Sequence, residues 1–171
     1  MPHFIRIGAF FFLNAFLIGS WLTRVPDFLA DLSIDKATMG LALFAAPIGT
    51  VCTIPFVGRW IERSSPARVA FTSVILLSLS LLPIAVAPSW PMLAIAIFLS
   101  GAANAGMEVS INSAADASEK ARGHKIMSRC HGFWSLGIMA GALVAGALAQ
   151  EGVSFRVHLP LACAGGSWRA C

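Results

Sequence analysis

VAFTSVILLSLSLLPIAVAPSWPMLAIAIFLSGAANAGM, residues Val69–Met107, is a run of 39 residues without one charged side chain. A helix needs about 20 apolar residues to cross the hydrocarbon core of a bilayer. The run is long enough for two crossings, and it carries its own break. Pro88-Ser89-Trp90-Pro91 sets two prolines around a tryptophan, which suits a turn at the headgroup level. The stretch predicts a helical hairpin in lipid.

Outside the run, charges divide the chain into further spans. The first is expected at about 7–23, between Arg6 and Arg24, and the second at about 37–57, between Lys36 and Arg59. The hairpin gives spans at about 69–87 and 92–114, and a fifth follows at about 130–149. After Glu151 an apolar segment at about 158–166 begins a sixth, and the chain ends before it can cross. The fold class is therefore all-α, a polytopic transmembrane bundle of five helices and a partial sixth. Arg6, Arg59, Arg63, Arg68, Lys120, Arg122, Lys125 and Arg129 fall on one side, and only Arg24, Lys36 and Arg156 on the other. That asymmetry predicts a cytoplasmic N-terminus and cytoplasmic loops after spans two and four.

The composition of the 171 residues agrees: 57% are hydrophobic, 12% are charged, and the mean hydropathy is +0.79. Soluble domains carry about 25% charged residues. Disorder and nucleic-acid binding are excluded, and the net charge of +4 reads as membrane topology and not as a polyanion-binding surface. Cys52, Cys130, Cys163 and Cys171 form no C-x-x-C pair, so neither a metal site nor a disulfide framework is expected, and no cofactor. The apolar stretch after Arg6 is longer than the core of a signal peptide and no small-x-small site follows it, so it is read as retained. With short loops and no inserted soluble domain, the chain is not expected to be an enzyme.

Glu108 is the most informative single residue. It lies inside span four, where an ionised carboxylate costs about 2.5 kcal/mol or more. Asn104 and Asn112 stand four residues before and after it, so the three polar groups share one helix face beside the small Gly101 and Ala105. Such a face looks into a bundle interior or a wet cavity. Glu108 is then either a structural carboxylate, protonated or paired with an Asn, or a group on a proton or solute route; intramembrane carboxylates favour the second. Desolvation favours the protonated form of such a group, as proton coupling requires. Asn14 in span one either contacts a solute or hydrogen-bonds a neighbouring helix. Trp21 and Arg24 have the pattern of interfacial anchors. Gly137, Gly141 and Ala145, at four-residue spacing, make a row of small residues for close helix packing. His131 and Ser135 share a face, but no acid orients the histidine and no G-x-S-x-G elbow occurs.

The segment Gly58-Arg59-Trp60-Ile61-Glu62-Arg63-Ser64-Ser65-Pro66-Ala67-Arg68 resembles the signature loop of the major facilitator superfamily. Gly58, Glu62 and Arg63 follow its glycine, acid, arginine order. Glu62 stands where aspartate is usual, Ser65 where a second glycine is usual, and the later basic pair is reduced to Arg68. Phe12-Leu13-Asn14 with Gly19-Ser20-Trp21, the Gly101 to Asn112 segment, and Met127-Ser128-Arg129-Cys130-His131-Gly132 leading to Trp134-Ser135-Leu136-Gly137 resemble a YbjJ-like inner-membrane branch, distantly similar to fucose permeases.

The resemblance, over about residues 6–160, implies a secondary active transporter built from inverted three-helix repeats, with its site near the midplane. It implies alternating access, a small polar and sugar-like solute, a proton as driving ion and a bacterial inner membrane. It also implies that Glu108 occupies the place of a proton-coupling acid, and that Glu62 latches helix ends and controls the switch. A carboxylate at Glu62 could equally complement a nearby helix N-terminus. Span five lacks the Gly-Pro signature of drug–proton antiporters, which favours polar solutes over lipophilic drugs. Because the family has twelve helices, the chain is expected to supply the N-terminal half, with the C-terminal half absent and its natural partner. The alternative is a truncated, non-transporting half, which the tail from Cys163 to Cys171 suggests by losing the hydrophobic pattern.

Overall fold

The structure, a computed structural model, describes residues 3–167. They form seven helices: α1 (His3–Leu22), α2 (Val25–Asp31), α3 (Lys36–Arg63), α4 (Pro66–Val86), α5 (Trp90–Arg122), α6 (Met127–Gln150) and α7 (Phe155–Ser167). Five helices are long and apolar enough to cross a membrane. α7 is the partial sixth; the end of the tail, residues 168–171, lies outside the described residues.

The helix ends show why the sequence breaks where it does. Asp35 caps α3, its Oδ1 accepting from the Thr38 amide at 2.8 Å. Ser65 caps α4 ahead of Pro66, its Oγ accepting from the Arg68 amide at 3.3 Å. The expected hairpin turn is Ala87 to Ser89, with Pro91 in the first turn of α5. α5 stops at Gly123, whose φ of 67° lies in the left-handed region that costs glycine nothing.

Three differences from the sequence reading have physical causes. α3 runs six residues past Val57, and α5 eight past Ala114, because helices continue into water after their apolar stretch ends. The exposed Asp116–Lys120 pair, one turn apart at 2.7 Å, sits on such an extension. The third difference is α2, a short helix behind Pro26 where a loop was expected.

The helices pair in a pattern. α1 lies along α6, and α3 along α5, in each case backbone to backbone. A Cβ added at Gly137 or Gly141 would strike the carbonyl oxygen of Phe12 or Phe16 on α1, and one at Gly19 would strike Ile138. On the other pair, Gly49 abuts the Phe98 carbonyl and Gly101 the Ala46 carbonyl, with Thr50 Oγ1 donating to the Gly101 oxygen at 3.0 Å. First with fifth span and second with fourth is the exchange that an inverted three-helix repeat produces. α4 fills the interior against α5 with Val74, Leu77, Leu81 and Ile84. α3 and α6 turn apolar faces outward, including Phe44, Val51 and Phe56 on one and Leu136, Met139 and Leu143 on the other.

Candidate functional site

Asn14 lies at the middle of α1 and is fully buried. An amide in hydrocarbon must be hydrogen-bonded, and three helices meet to do it. Asn14 Nδ2 donates to Asn104 Oδ1 on α5 at 2.6 Å, and Asn14 Oδ1 accepts from Trp134 Nε1 on α6 at 3.2 Å. Of its two sequence readings, the helix-bonding one describes this geometry. The node joins the α1–α6 pair to the α3–α5 pair. The sequence reading named Trp134 only as part of a motif and gave it no role, although an indole N–H inside a span usually finds an acceptor.

Glu108 stands one turn along α5 from Asn104, near the midpoint of that helix. Asn104, Glu108 and Asn112 are all half-buried along one face. Asn112 Nδ2 donates to the backbone oxygen of Glu108 at 2.8 Å and not to its carboxylate. Among the described residues, neither an ion pair nor a hydrogen bond engages that carboxylate. The structure therefore does not pair Glu108 with either asparagine. Gly101 and Ala105 are buried beside the stripe.

The signature segment is less of a loop than the sequence suggested. Gly58 to Arg63 complete α3, Pro66 to Arg68 open α4, and only Ser64 and Ser65 connect them. Glu62, Arg63 and Arg68 are exposed. Ser65, where the family has glycine, is the group that caps α4, so the helix-end role allowed for Glu62 is filled by a hydroxyl. Glu119, which the sequence reading passed over, does similar work nearby. Its Oε1 accepts the amides of Ile126 and Met127 at 2.6 and 2.7 Å, tying the end of α5 to the start of α6.

At the opposite end, Arg24 corrects another expectation. It is 3% exposed and not an interfacial anchor; Trp21 is buried as well. Its Nη1 and Nη2 donate to the carbonyls of Ala145 and Val153 at 3.2 and 2.7 Å, and its Nε lies 2.5 Å from Asp27 Oδ2. The Ala145 of the small-residue row is thus a hydrogen-bonding partner as well as a packing position. Arg156 on α7 reaches Asp31 at 2.6 Å and the Ala85 carbonyl at 3.3 Å. The two arginines hold α2 across this end of the bundle. His131, considered beside Ser135, is exposed with its ring edge-on to Phe11 at 5.3 Å.

Residues 6–168 match the family model of the Major Facilitator Superfamily. The chain belongs to that superfamily. It is 36% identical over 136 residues to the uncharacterized transporter y4wD of Sinorhizobium fredii, covering 80% of this chain and 36% of that protein. It is 30% identical over 138 residues to the membrane protein MosC of Rhizobium meliloti, covering 81% of this chain and 34% of the other. The nucleoside transporter NupG superposes with a TM-score of 0.81 at 17% identity, over 98% of this chain and 42% of that one. The last likeness is one of fold. This superfamily member spans about a third of the length of the curated relatives it matches. It is a multi-pass membrane protein whose relatives and fold are those of transporters, proteins of a superfamily that binds small solutes.

Proposed function

We propose that the chain forms the N-terminal half of a secondary active transporter that moves a small polar solute by alternating access, driven by protons. One observation carries the reading: a half-buried carboxylate, Glu108, at mid-helix, without a partner among the described residues, one turn from the Asn14–Asn104–Trp134 node. A charge left alone inside a span is costly, and intramembrane carboxylates mark ion and solute routes. Protonation there would be coupled to whatever rearranges the node. Asn112, whose oxygen no neighbour occupies among the described residues, is suited to hydroxyl groups of a solute on the same face.

A sugar-like solute fits both the fucose-permease resemblance and the named solute of NupG, since a nucleoside carries a ribose. The outward apolar faces of α3 and α6 are the surfaces on which a C-terminal half would close. Gly58, Glu62, Arg63 and Arg68 would act at the α3–α4 junction as the gating latch. The side richer in lysine and arginine would be the cytoplasmic face of a bacterial inner membrane, and the YbjJ-like branch is the nearest group that the motifs suggest.

The test is pH-driven uptake by the complete transporter, with the solute first found by a thermal-shift screen. Glu108→Gln should abolish the pH dependence while solute binding persists. Unchanged pH dependence would sink the role given to Glu108.

A further inference from the structure

The turn between α5 and α6 builds a recess that the transport reading does not use. It has a volume of about 470 Å³ and is lined by Arg122, His124, Lys125 and Arg129, with Phe4 and Ile126 supplying apolar wall. The left-handed Gly123 reverses the chain so that Arg122 and Lys125, from either side of the turn, face the same space as Arg129. Arg129 lies over the Phe4 ring at 5.7 Å, which fixes its guanidinium at the rim.

None of the three cations has an ion-pair partner among the described residues, whereas Lys120 is matched by Asp116. Glu119 is close by, but its Oε1 is committed to the amides of Ile126 and Met127. One acid against three cations leaves the recess net cationic. Phe4 and Arg129 on its wall stand just before the first and fifth apolar stretches begin, which places the recess at the depth of lipid headgroups.

We propose that this recess binds the phosphate of an anionic phospholipid headgroup. The cations address the phosphate, and the Phe4 and Ile126 wall receives the glycerol and upper acyl carbons. Basic pockets between membrane helices are a recurrent solution to that chemistry. A free phosphate would use the cations and leave the apolar wall in water.

The experiment titrates the detergent-purified chain with phosphatidylglycerol, phosphatidylcholine and inorganic phosphate, reading bound lipid by native mass spectrometry and by thermal shift. Phosphatidylglycerol should bind in preference to phosphatidylcholine, and added salt should weaken it. Each of Arg122→Gln, Lys125→Gln and Arg129→Gln should weaken it about fivefold, and the triple variant about a hundredfold. Arg59→Gln with Arg63→Gln, two exposed cations of the same side, should leave it unchanged. The charge-preserving Arg122→Lys with Arg129→Lys should retain the preference, which separates lost charge from lost fold. Equal binding of phosphatidylcholine, equal loss in the Arg59 and Arg63 control, or saturation by inorganic phosphate with no lipid preference would each overturn the proposal.

Discussion

Replacing Arg24 with methionine keeps the length of the side chain and removes its charge and donors. Three contacts disappear: the donations to the Ala145 and Val153 carbonyls and the ion pair with Asp27. Hydrogen bonds from a charged group contribute about 1.5–3 kcal/mol each. The Ala145 oxygen keeps its helical partner, so the larger loss is at Val153. Nε has no well-aligned hydrogen bond despite its 2.5 Å approach to Asp27, and Asp27 is 38% exposed. That pair is therefore screened and contributes at most about 1 kcal/mol. Relief of the buried guanidinium's desolvation works in the other direction. The net cost is about 2–4 kcal/mol, or roughly 5–15 °C for a chain of this size. Arg156→Gln is the comparison, because its pair with Asp31 is 41% and 33% exposed. That pair contributes at most about 1 kcal/mol. The long 3.3 Å bond from the same half-exposed guanidinium to the Ala85 carbonyl adds about 0.5 kcal/mol, so the variant should lose less than Arg24→Met. Melting in detergent can be followed by a thiol-reactive fluorophore that reports exposure of the buried Cys130 and Cys163, in a background lacking Cys52 and Cys171. If Arg24→Met melts no lower than Arg156→Gln, Arg24 is an anchor in water and the burial argument fails.

Three further outcomes follow from the same geometry. Gly137→Leu and Gly141→Leu should each destabilise the bundle by about 1–3 kcal/mol in that melting assay, because their Cβ atoms meet α1 backbone, while Gly146→Ala, facing open space, should not. Asn14→Leu should cost about 0.6–2 kcal/mol by the same measurement, leaving Asn104 and Trp134 without their shared partner. Asp35 is held below the usual carboxylate range by the Thr38 hydrogen bonds, so its cap is complete above the unfolded value and fades as pH falls through the folded one. Amide exchange at Thr38 should distinguish Asp35→Ala from the parent at neutral pH, and the difference should persist at about pH 4 and fade only as pH falls below the ordinary carboxylate value of about 3.9.

The spans were legible because charges and the Pro-Ser-Trp-Pro turn mark where lipid ends. The helix ends were not, since hydropathy reports composition and α5 continues through Asp116 and Lys120 on backbone hydrogen bonding that needs no apolar side chain. The stripe of Asn104, Glu108 and Asn112 was readable from four-residue spacing alone. Its partner was not, because Asn14 reaches Asn104 from 90 residues away and is itself held by Trp134 on a third helix. Arg24 misled for a related reason: a lone arginine at the end of an apolar stretch has the same local pattern whether water or protein surrounds it. Only the arrival of the Ala145 and Val153 carbonyls, more than 120 residues later, decides between them.

The pairing of α1 with α6 also sets a timetable. Asn14 enters the bilayer in the first helix made, yet Trp134 is synthesised 120 residues afterwards. At about 5–20 residues per second, that is roughly 6–24 s of exposure for an amide in lipid before its indole partner exists. The α3–α5 contact closes over only 51 residues, from Thr50 to Gly101. α3 should therefore find α5 while α1 still waits, held by the insertion machinery. Crosslinking of stalled nascent chains would show it: Gly49 should meet Phe98 at lengths where Phe12 has not yet met Gly137.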